Sequence, residues 1–200
     1  MILLLLLQAC GTMLLRPLPD PSAQIDRERQ AIGRRLAGVD VTIQAEAWHY
    51  RPGRLTNDFL PFLVRIVNQG HSDVTLLLPQ VSLIDDRDRI RRPLKPEEVV
   101  SLLLGGSDAS AILPSIGLEA SGPEPTIFGV ELGFSFNRYR DLRDIRRLAF
   151  SPEPIPAGSR AEGFIYFPNP PSDARRLTLL LILDTLSGQH QLPFTYAIDH

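Results

Sequence analysis

The sequence predicts a mainly β protein in which two sheets pack face to face as a β-sandwich. Apolar and polar residues alternate over residues 39–47, and the same alternation returns over residues 60–68. This period of two residues is typical of strands with one buried face. Turn-forming residues such as Asn68-Gln69-Gly70 separate the apolar segments. About seven short strands at this spacing suggest a β-sandwich.

The strands are predicted one by one from short apolar segments along the chain. In the first, Val41 and Ile43 point inward, whereas Thr42 and Gln44 point outward. Further strands are expected at residues 74–78, 81–84, 90–94, 161–167, 177–183 and 190–198, with a weaker, glycine-rich one at 128–136. Residues 177–183 are apolar throughout, which favours a central strand covered on both faces.

Two short helical inserts interrupt the strands. Pro96, followed by Glu97 and Glu98, is a typical helix start, and the glycines at 105 and 106 end the helix predicted over residues 96–104. The apolar residues of 137–150 recur at helical spacing, which predicts the second helix there. Residues 105–136 form an insertion relative to a minimal sandwich, and long insertions of this kind are often functional or disordered.

The N-terminal part is predicted to be a tether. Three prolines within residues 17–21 favour a semi-extended spacer over residues 11–24. Ile25, Ile32 and Leu36 recur near helical spacing among charged residues, which predicts a short amphipathic helix over residues 25–36. Residues 10–38 would then join the leader to a sandwich that spans residues 39–198.

The leader begins with an apolar run at residues 2–7, which is too short to cross a bilayer as a helix. Leu7-Gln8-Ala9-Cys10 resembles the lipobox of bacterial lipoproteins. That resemblance implies that residues 1–9 are a signal peptide, that cleavage precedes Cys10 and that Cys10 carries a lipid. In Gram-negative lipoproteins with this pattern, a residue other than an acidic one directly after the cysteine favours the outer membrane. Gly11 therefore favours an outer-membrane location facing the periplasm. The alternative is a cytosolic protein with a buried apolar N-terminal strand and an incidental thiol.

The body is similar to immunoglobulin-like domains of poorly characterised bacterial lipoproteins. The similar segments are residues 62–68, 82–86, 156–158 and 162–168. The resemblance implies an immunoglobulin-like sandwich over most of residues 39–198.

Sequence motifs for catalysis are missing. The chain has no Gly-x-Ser-x-Gly and no glycine-rich phosphate loop, and Cys10 is its only cysteine. The histidines lack the spacing of metal ligands. We therefore expect no catalytic residue, metal or cofactor. The formal net charge of -2 argues against a nucleic-acid partner.

Two clusters are candidates for binding. Aromatic and basic residues gather around a Pro-Gly turn, as they do both at binding surfaces and in strand-end packing. They are Trp48, His49, Tyr50, Arg51 and Arg54. Asp85, Asp86 and Asp88 could supply calcium ligands, but the intervening arginines favour an ordinary hairpin turn.

The predicted function is that of a non-catalytic, lipid-anchored envelope protein. Its partners would be the membrane, through the lipid on Cys10, and an envelope protein or other envelope component met by the sandwich loops. The alternative is an envelope hydrolase or sugar-binding accessory, with a site built from loop carboxylates such as Asp85, Asp86 and Glu131.

Overall fold

A computed structural model describes residues 13–104 and 142–199 of the chain. In these residues two antiparallel sheets pack face to face around one hydrophobic core, which confirms the prediction of a mainly β fold. The predicted leader, Cys10, the strand at 128–136 and the insertion at 105–136 lie outside the described residues.

The strands are numbered along the chain. The first sheet has the order β1 (Leu14–Pro17), β11 (Gly188–Asp199), β10 (Arg176–Thr185), β7 (Ser82–Asp85) and β8 (Ile90–Arg91), and β6 (Thr75–Leu76) also pairs with β10. The second sheet has the order β2 (Ala23–Asp26), β3 (Ala31–Leu36), β4 (Val39–Gln44), β5 (Phe59–Asn68) and β9 (Arg160–Pro168). The predicted strands between residues 39 and 198 that fall in the described ranges are therefore present, with shorter bounds for β4, β6 and β8.

The core between the sheets is built from the inward residues of the alternating pattern. Many of their side chains are fully buried there, among them Val41, Ile43, Phe62, Val64, Ile66, Leu179, Leu181, Phe194 and Tyr196. The rings of Phe62 and Tyr196 lie 5.7 Å apart across the two sheets. The Tyr196 hydroxyl donates a hydrogen bond to the Ile43 carbonyl at 3.1 Å. A buried hydroxyl with a partner is stable, so this contact also fixes the sheets relative to each other.

A second cluster covers part of the outer face of the second sheet. It joins α1 (Leu55–Asp58), α2 (Pro96–Leu103) and the helical residues 142–147 to aromatic residues of β9. The Tyr166 hydroxyl donates to the Ile145 carbonyl at 2.9 Å. Both predicted helices are confirmed in the described residues, and the Glu98 carboxylate accepts from the Lys95 N–H at 2.7 Å, as expected at a helix start.

The helix predicted over residues 25–36 is wrong, because these residues form the hairpin of β2 and β3. Ile25 lies opposite Ile32 in the pairing. The Asp26 carboxylate accepts from the N–H groups of Glu28 and Arg29, both at 3.1 Å, and this Asx turn reverses the chain.

The semi-extended spacer predicted over residues 11–24 is also wrong within the described residues. β1 pairs with β11, and Leu15 is fully buried in the core. Pro17 is tolerated because it ends an edge strand. The sheets therefore include residues 14–36, which the prediction assigned to a tether.

Candidate functional site

Trp48 lies beneath the surface rather than on it. The residue is 8% exposed. Its ring makes edge contacts with the rings of Tyr50 and Phe164, at centroid distances of 5.5 and 5.0 Å. Its indole N–H donates to the Pro52 carbonyl at 3.2 Å. Trp48 therefore supports the neighbouring aromatic residues by packing, which was one of the two interpretations of this cluster.

His49 and Tyr50 form a ring pair beside Trp48, in which His49 is exposed and Tyr50 is half-buried. Their rings stack with centroids 4.3 Å apart and planes 28° apart. The His49 Nδ1 lies 2.8 Å from the Ala47 carbonyl. A carbonyl only accepts, so Nδ1 carries the proton in this contact. This hydrogen bond fixes the orientation of the imidazole, and His49 is exposed to solvent.

Arg51 and Arg54 connect the loop to the two helices. The Arg51 backbone N–H donates to the Asp144 carboxylate at 3.4 Å, and the Arg54 guanidinium donates to the Leu103 carbonyl at 3.2 Å. The structure thus brings His49 and Tyr50 together, whereas the Arg54 side chain contacts the end of α2.

The ring pair stands at one end of a groove on the outer face of the second sheet. Two adjoining hollows, of about 330 and 250 Å³, share Gln44 and Leu63 as lining residues and therefore form one depression. We call this depression the outer groove. The first hollow lies over β2 to β5, and the second reaches the ring pair and β9.

Strand register places the floor of the outer groove in one row. Gln24 lies opposite Gly33, which lies opposite Thr42, and the row continues through Arg65 to Glu162. Successive members belong to neighbouring strands, so the row crosses all five strands of the sheet. Gly33 lowers the floor, since a Cβ atom there would have its nearest neighbours only at 3.7 to 3.8 Å.

The charges in the outer groove are paired. Arg65 and Glu162 form an ion pair across β5 and β9. The Arg29 guanidinium and the Asp26 carboxylate lie 3.9 Å apart. The Glu46 carboxylate accepts a hydrogen bond from the Leu15 N–H at 2.6 Å. The groove therefore presents local charges without a strong field of one sign.

Neutral polar side chains lie between these charges. Within residues 13–104 and 142–199, the side chains of Gln24, Thr42 and Gln44 make no hydrogen bond to protein atoms. A glutamine amide supplies two donors and an acceptor, and a threonine hydroxyl supplies one donor with acceptor capacity. These groups are available to a ligand.

The acidic turn has a structural role. The side chain of Asp85 is fully buried, and its oxygens accept from the N–H groups of Arg87 and Arg89, both at 3.0 Å, and from the Arg89 guanidinium at 2.6 Å. Burial by itself raises the pKa of this carboxyl, but these hydrogen bonds outweigh burial and hold the pKa at about 2. The hairpin-turn interpretation of this cluster is confirmed.

The other predicted carboxylates do not join Asp85 in a described site. Asp86 is exposed and accepts from the Arg175 N–H at 3.0 Å. Glu131 lies outside the described residues. In the described part of the chain, no group of three or more histidine, cysteine or acidic residues is arranged to hold a metal ion.

Sequence reasoning missed the residues that form the groove floor. The alternating pattern placed Thr42 and Gln44 on the outward face, which was correct. It gave no information on which outward residues of the neighbouring strands would lie beside them. The signal that could have helped is Gly33, since a glycine within a strand often marks close approach by another group.

Comparison with protein-family models, with curated proteins and with solved structures finds no match to this chain. Among the described residues, none of the helices has the length and apolar character that a membrane span requires. The function of the outer groove therefore has to follow from its own geometry.

Proposed function

We propose that this chain is a non-catalytic, lipid-anchored protein of the bacterial cell envelope, which binds an envelope component through the outer groove. The groove is the observation that carries the binding role. It is a depression on the outer face of a five-stranded sheet, and its lining includes Gln24, Thr42 and Gln44, whose side chains make no hydrogen bond within the described residues. Sites of this form orient a ligand through a few convergent polar groups.

Lipid anchoring is supported by the leader. Leu7-Gln8-Ala9-Cys10 has the pattern of a lipobox, and no other cysteine is present in the sequence. Two or more acyl chains on Cys10 would bury enough CH₂ groups, at about 0.8 kcal/mol each, for durable attachment. An outer-membrane location facing the periplasm follows from the same proposal, because no acidic residue follows Cys10.

A non-catalytic role is supported by the way the described carboxylates are used. Asp20, Asp40, Asp85 and Asp86 all have lowered pKa values, and in each case hydrogen bonds to a turn or a strand partner favour the ionised form. A carboxylic general acid that acts near neutral pH needs the opposite shift. These four groups therefore stabilise the fold and do not have the properties of proton donors.

We also propose that the sandwich is immunoglobulin-like. The chain passes between the two sheets after β1, after β5, between β8 and β9, and again after β9. Repeated crossing between two antiparallel sheets is a feature of such sandwiches. An experimentally determined structure with a different strand connection would reject this assignment.

Anchoring can be tested with Cys10→Ala. In cell fractionation the wild type should sediment with the membrane and carry the added mass of the lipid, whereas Cys10→Ala should appear in the soluble periplasmic fraction. Thr12→Ala, which leaves the lipobox intact, is the matched control. Recovery of Cys10→Ala in the membrane fraction would show that the proposed anchor is wrong. A separate crosslinking pull-down of the wild type from native membranes would identify the bound envelope component.

A further inference from the structure

We propose that the outer groove binds a neutral oligosaccharide. This inference deepens the proposed function, on which it rests for the cellular setting, because it names the chemical class of the envelope component. The binding chemistry itself depends only on residues of the second sheet and of the loop after β4. It can therefore be tested without the lipid.

The charge balance of the groove selects an uncharged ligand. The lining contains three carboxylates, from Asp26, Glu46 and Glu162, and three guanidinium groups, from Arg29, Arg65 and Arg147. A polyanion such as a nucleic acid would meet the carboxylates, and a polycation would meet the guanidinium groups. Neither charge is favoured along the length of the groove, whereas a neutral polar chain meets no repulsion.

The free polar groups suit ligands rich in hydroxyls. Each sugar hydroxyl both donates and accepts, and the amides of Gln24 and Gln44 offer donors and an acceptor in one plane. Thr42 lies between them on the floor. The Arg65 guanidinium has five N–H donors, so its bond to Glu162 leaves further donors for a ligand. Adjacent hydroxyls of a sugar ring can therefore be bound in pairs.

The ring pair provides the apolar contact that a sugar ring needs. Pyranose rings have an apolar C–H face, which packs on flat aromatic surfaces as other apolar groups do. The exposed His49 imidazole stacks on Tyr50 at the end of the groove, with the two ring planes 28° apart. One sugar unit can stack there while its neighbours lie over the polar floor.

The shape of the groove favours several sugar units over one. The floor row crosses five strands, and strands spaced ~4.8 Å apart give such a row a length of roughly 19 Å. This length fits a short oligosaccharide. An extended peptide lying across the strands is disfavoured because strand pairing already uses the backbone groups of β3, β4 and β5, the three inner strands of the row.

The test is calorimetric titration of the full chain, kept in a detergent without a sugar headgroup. The probes are neutral tetra- to hexasaccharides, namely β-1,4-linked oligomers of glucose and of N-acetylglucosamine. Gly33→Trp fills the floor of the groove, and the double variant Gln24→Ala with Gln44→Ala removes two free amides without adding bulk. The matched control is Gln191→Trp, which places the same side chain on the exposed outer face of the first sheet.

The proposal expects measurable binding of at least one probe and a dissociation constant raised about tenfold or more in both groove variants. The dissociation constant should stay within about twofold of the wild type in Gln191→Trp. Absence of binding to every probe at millimolar concentration would overturn the proposal. So would equal affinity in all variants, or an equal loss in Gln191→Trp. Failure of the proposed function would look different, since an unanchored chain that still binds a probe rejects only the lipid anchor.

Discussion

Asn68 is a buried polar residue that joins three segments at the end of β5. Its amide nitrogen donates to the carbonyls of Ser72 and Ile155, at 2.8 and 2.9 Å. Its amide oxygen accepts from the Gly70 N–H at 3.0 Å. Without the amide, the Ser72 carbonyl and the Gly70 N–H would lose the partner that the side chain supplies, and the Ile155 carbonyl would keep only the hydrogen bond from the Val74 N–H.

We therefore expect Asn68→Ala to lower the free energy of unfolding by about 1 to 3 kcal/mol, because one carbonyl and one N–H lose the partner supplied by the side chain and a buried carbonyl loses one of its two donors. Urea denaturation followed by circular dichroism measures the change. Gln69→Ala, at the exposed neighbouring position, should change stability by less than about 0.5 kcal/mol. Equal stability of Asn68→Ala and wild type would show that water replaces the lost donors.

Asp85 makes stability depend on pH in a predictable direction. Its pKa is about 2 in the folded chain, below the ordinary value of 3.8. The stabilisation from the ionised form is therefore complete above the ordinary value and is lost as the pH falls towards 2. Asp85→Asn keeps the shape of the side chain but removes this charge.

We expect Asp85→Asn to be less stable than the wild type at pH 7, with a difference that shrinks steadily from pH 5 to pH 2. Thermal unfolding across this range measures it. Asp88→Asn is the matched control, since Asp88 is an exposed residue of the same turn with a positive φ of 58°, which asparagine tolerates. A difference that stays constant down to pH 2 would contradict the assignment of this pH dependence to Asp85.

The elements between residues 13 and 36 show where sequence patterns are ambiguous. Ile25 and Ile32 are seven residues apart, which fits two helical turns, but in the structure they face each other across a hairpin. The choice depends on the Asx turn at Asp26 and on an open edge of β4 that accepts β3. The second condition is tertiary and cannot be seen in a short window of sequence.

Longer alternating segments were predictable because their period alone separates a buried face from an exposed one. β4 and β5 belong to this class. The outer groove could not be predicted in this way, since it depends on the register that puts Gly33, Thr42 and Arg65 in one row. Register follows from turn lengths and core packing together, which a single strand does not encode.

β9 depends on a glycine for its contact with the segment that precedes it. A Cβ atom at Gly163 would lie 2.5 Å from the Phe150 Cα and 2.6 Å from the Phe150 nitrogen. The close approach is fixed by hydrogen bonds from the Phe150 N–H to the Phe164 carbonyl, at 2.9 Å, and from the Phe164 N–H to the Leu148 carbonyl, at 2.7 Å. The obstacle is backbone, which cannot move aside as a flexible side chain would.

Gly163→Ala should therefore lower the free energy of unfolding by about 2 kcal/mol or more, through overpacking between β9 and residues 148–150. Chemical denaturation measures the loss. Gly53→Ala adds the same methyl group where nothing lies within 4 Å, and should leave stability nearly unchanged. If both variants unfold at the same denaturant concentration, the close packing of β9 on this segment is not maintained in solution.

The whole molecule has two ends, and the proposed anchor lies near one of them. Cys10 and Leu14 are four residues apart, so the start of β1 lies within about 14 Å of the lipidated residue in any conformation. Leu14 pairs with Asp199, and Arg176 pairs with Ala197 at the same end of the first sheet. The turn before Gly188 lies at the opposite end of β11, whose twelve residues span roughly 37 Å at about 3.4 Å per residue in an extended strand. If Cys10 is acylated, the bilayer lies next to the Arg176 end, and we expect the turn at residues 186–187 to point away from it.

This orientation can be measured with fluorophores on single introduced thiols, because an acylated Cys10 does not react with maleimides. Arg176→Cys and Leu186→Cys both place the label at exposed positions. In vesicles that carry a headgroup quencher, and after flotation has shown that the protein is bound, the label at position 176 should be quenched much more strongly than the label at position 186. An insert of about twenty Gly and Ser residues after Thr12, with a mean length of roughly 25 Å, should remove most of the difference. Equal quenching at the two positions, in bound protein without the insert, would mean that the sandwich lies on its side. With Cys10 directly connected to β1, that orientation requires another surface of the sheets to bind lipid.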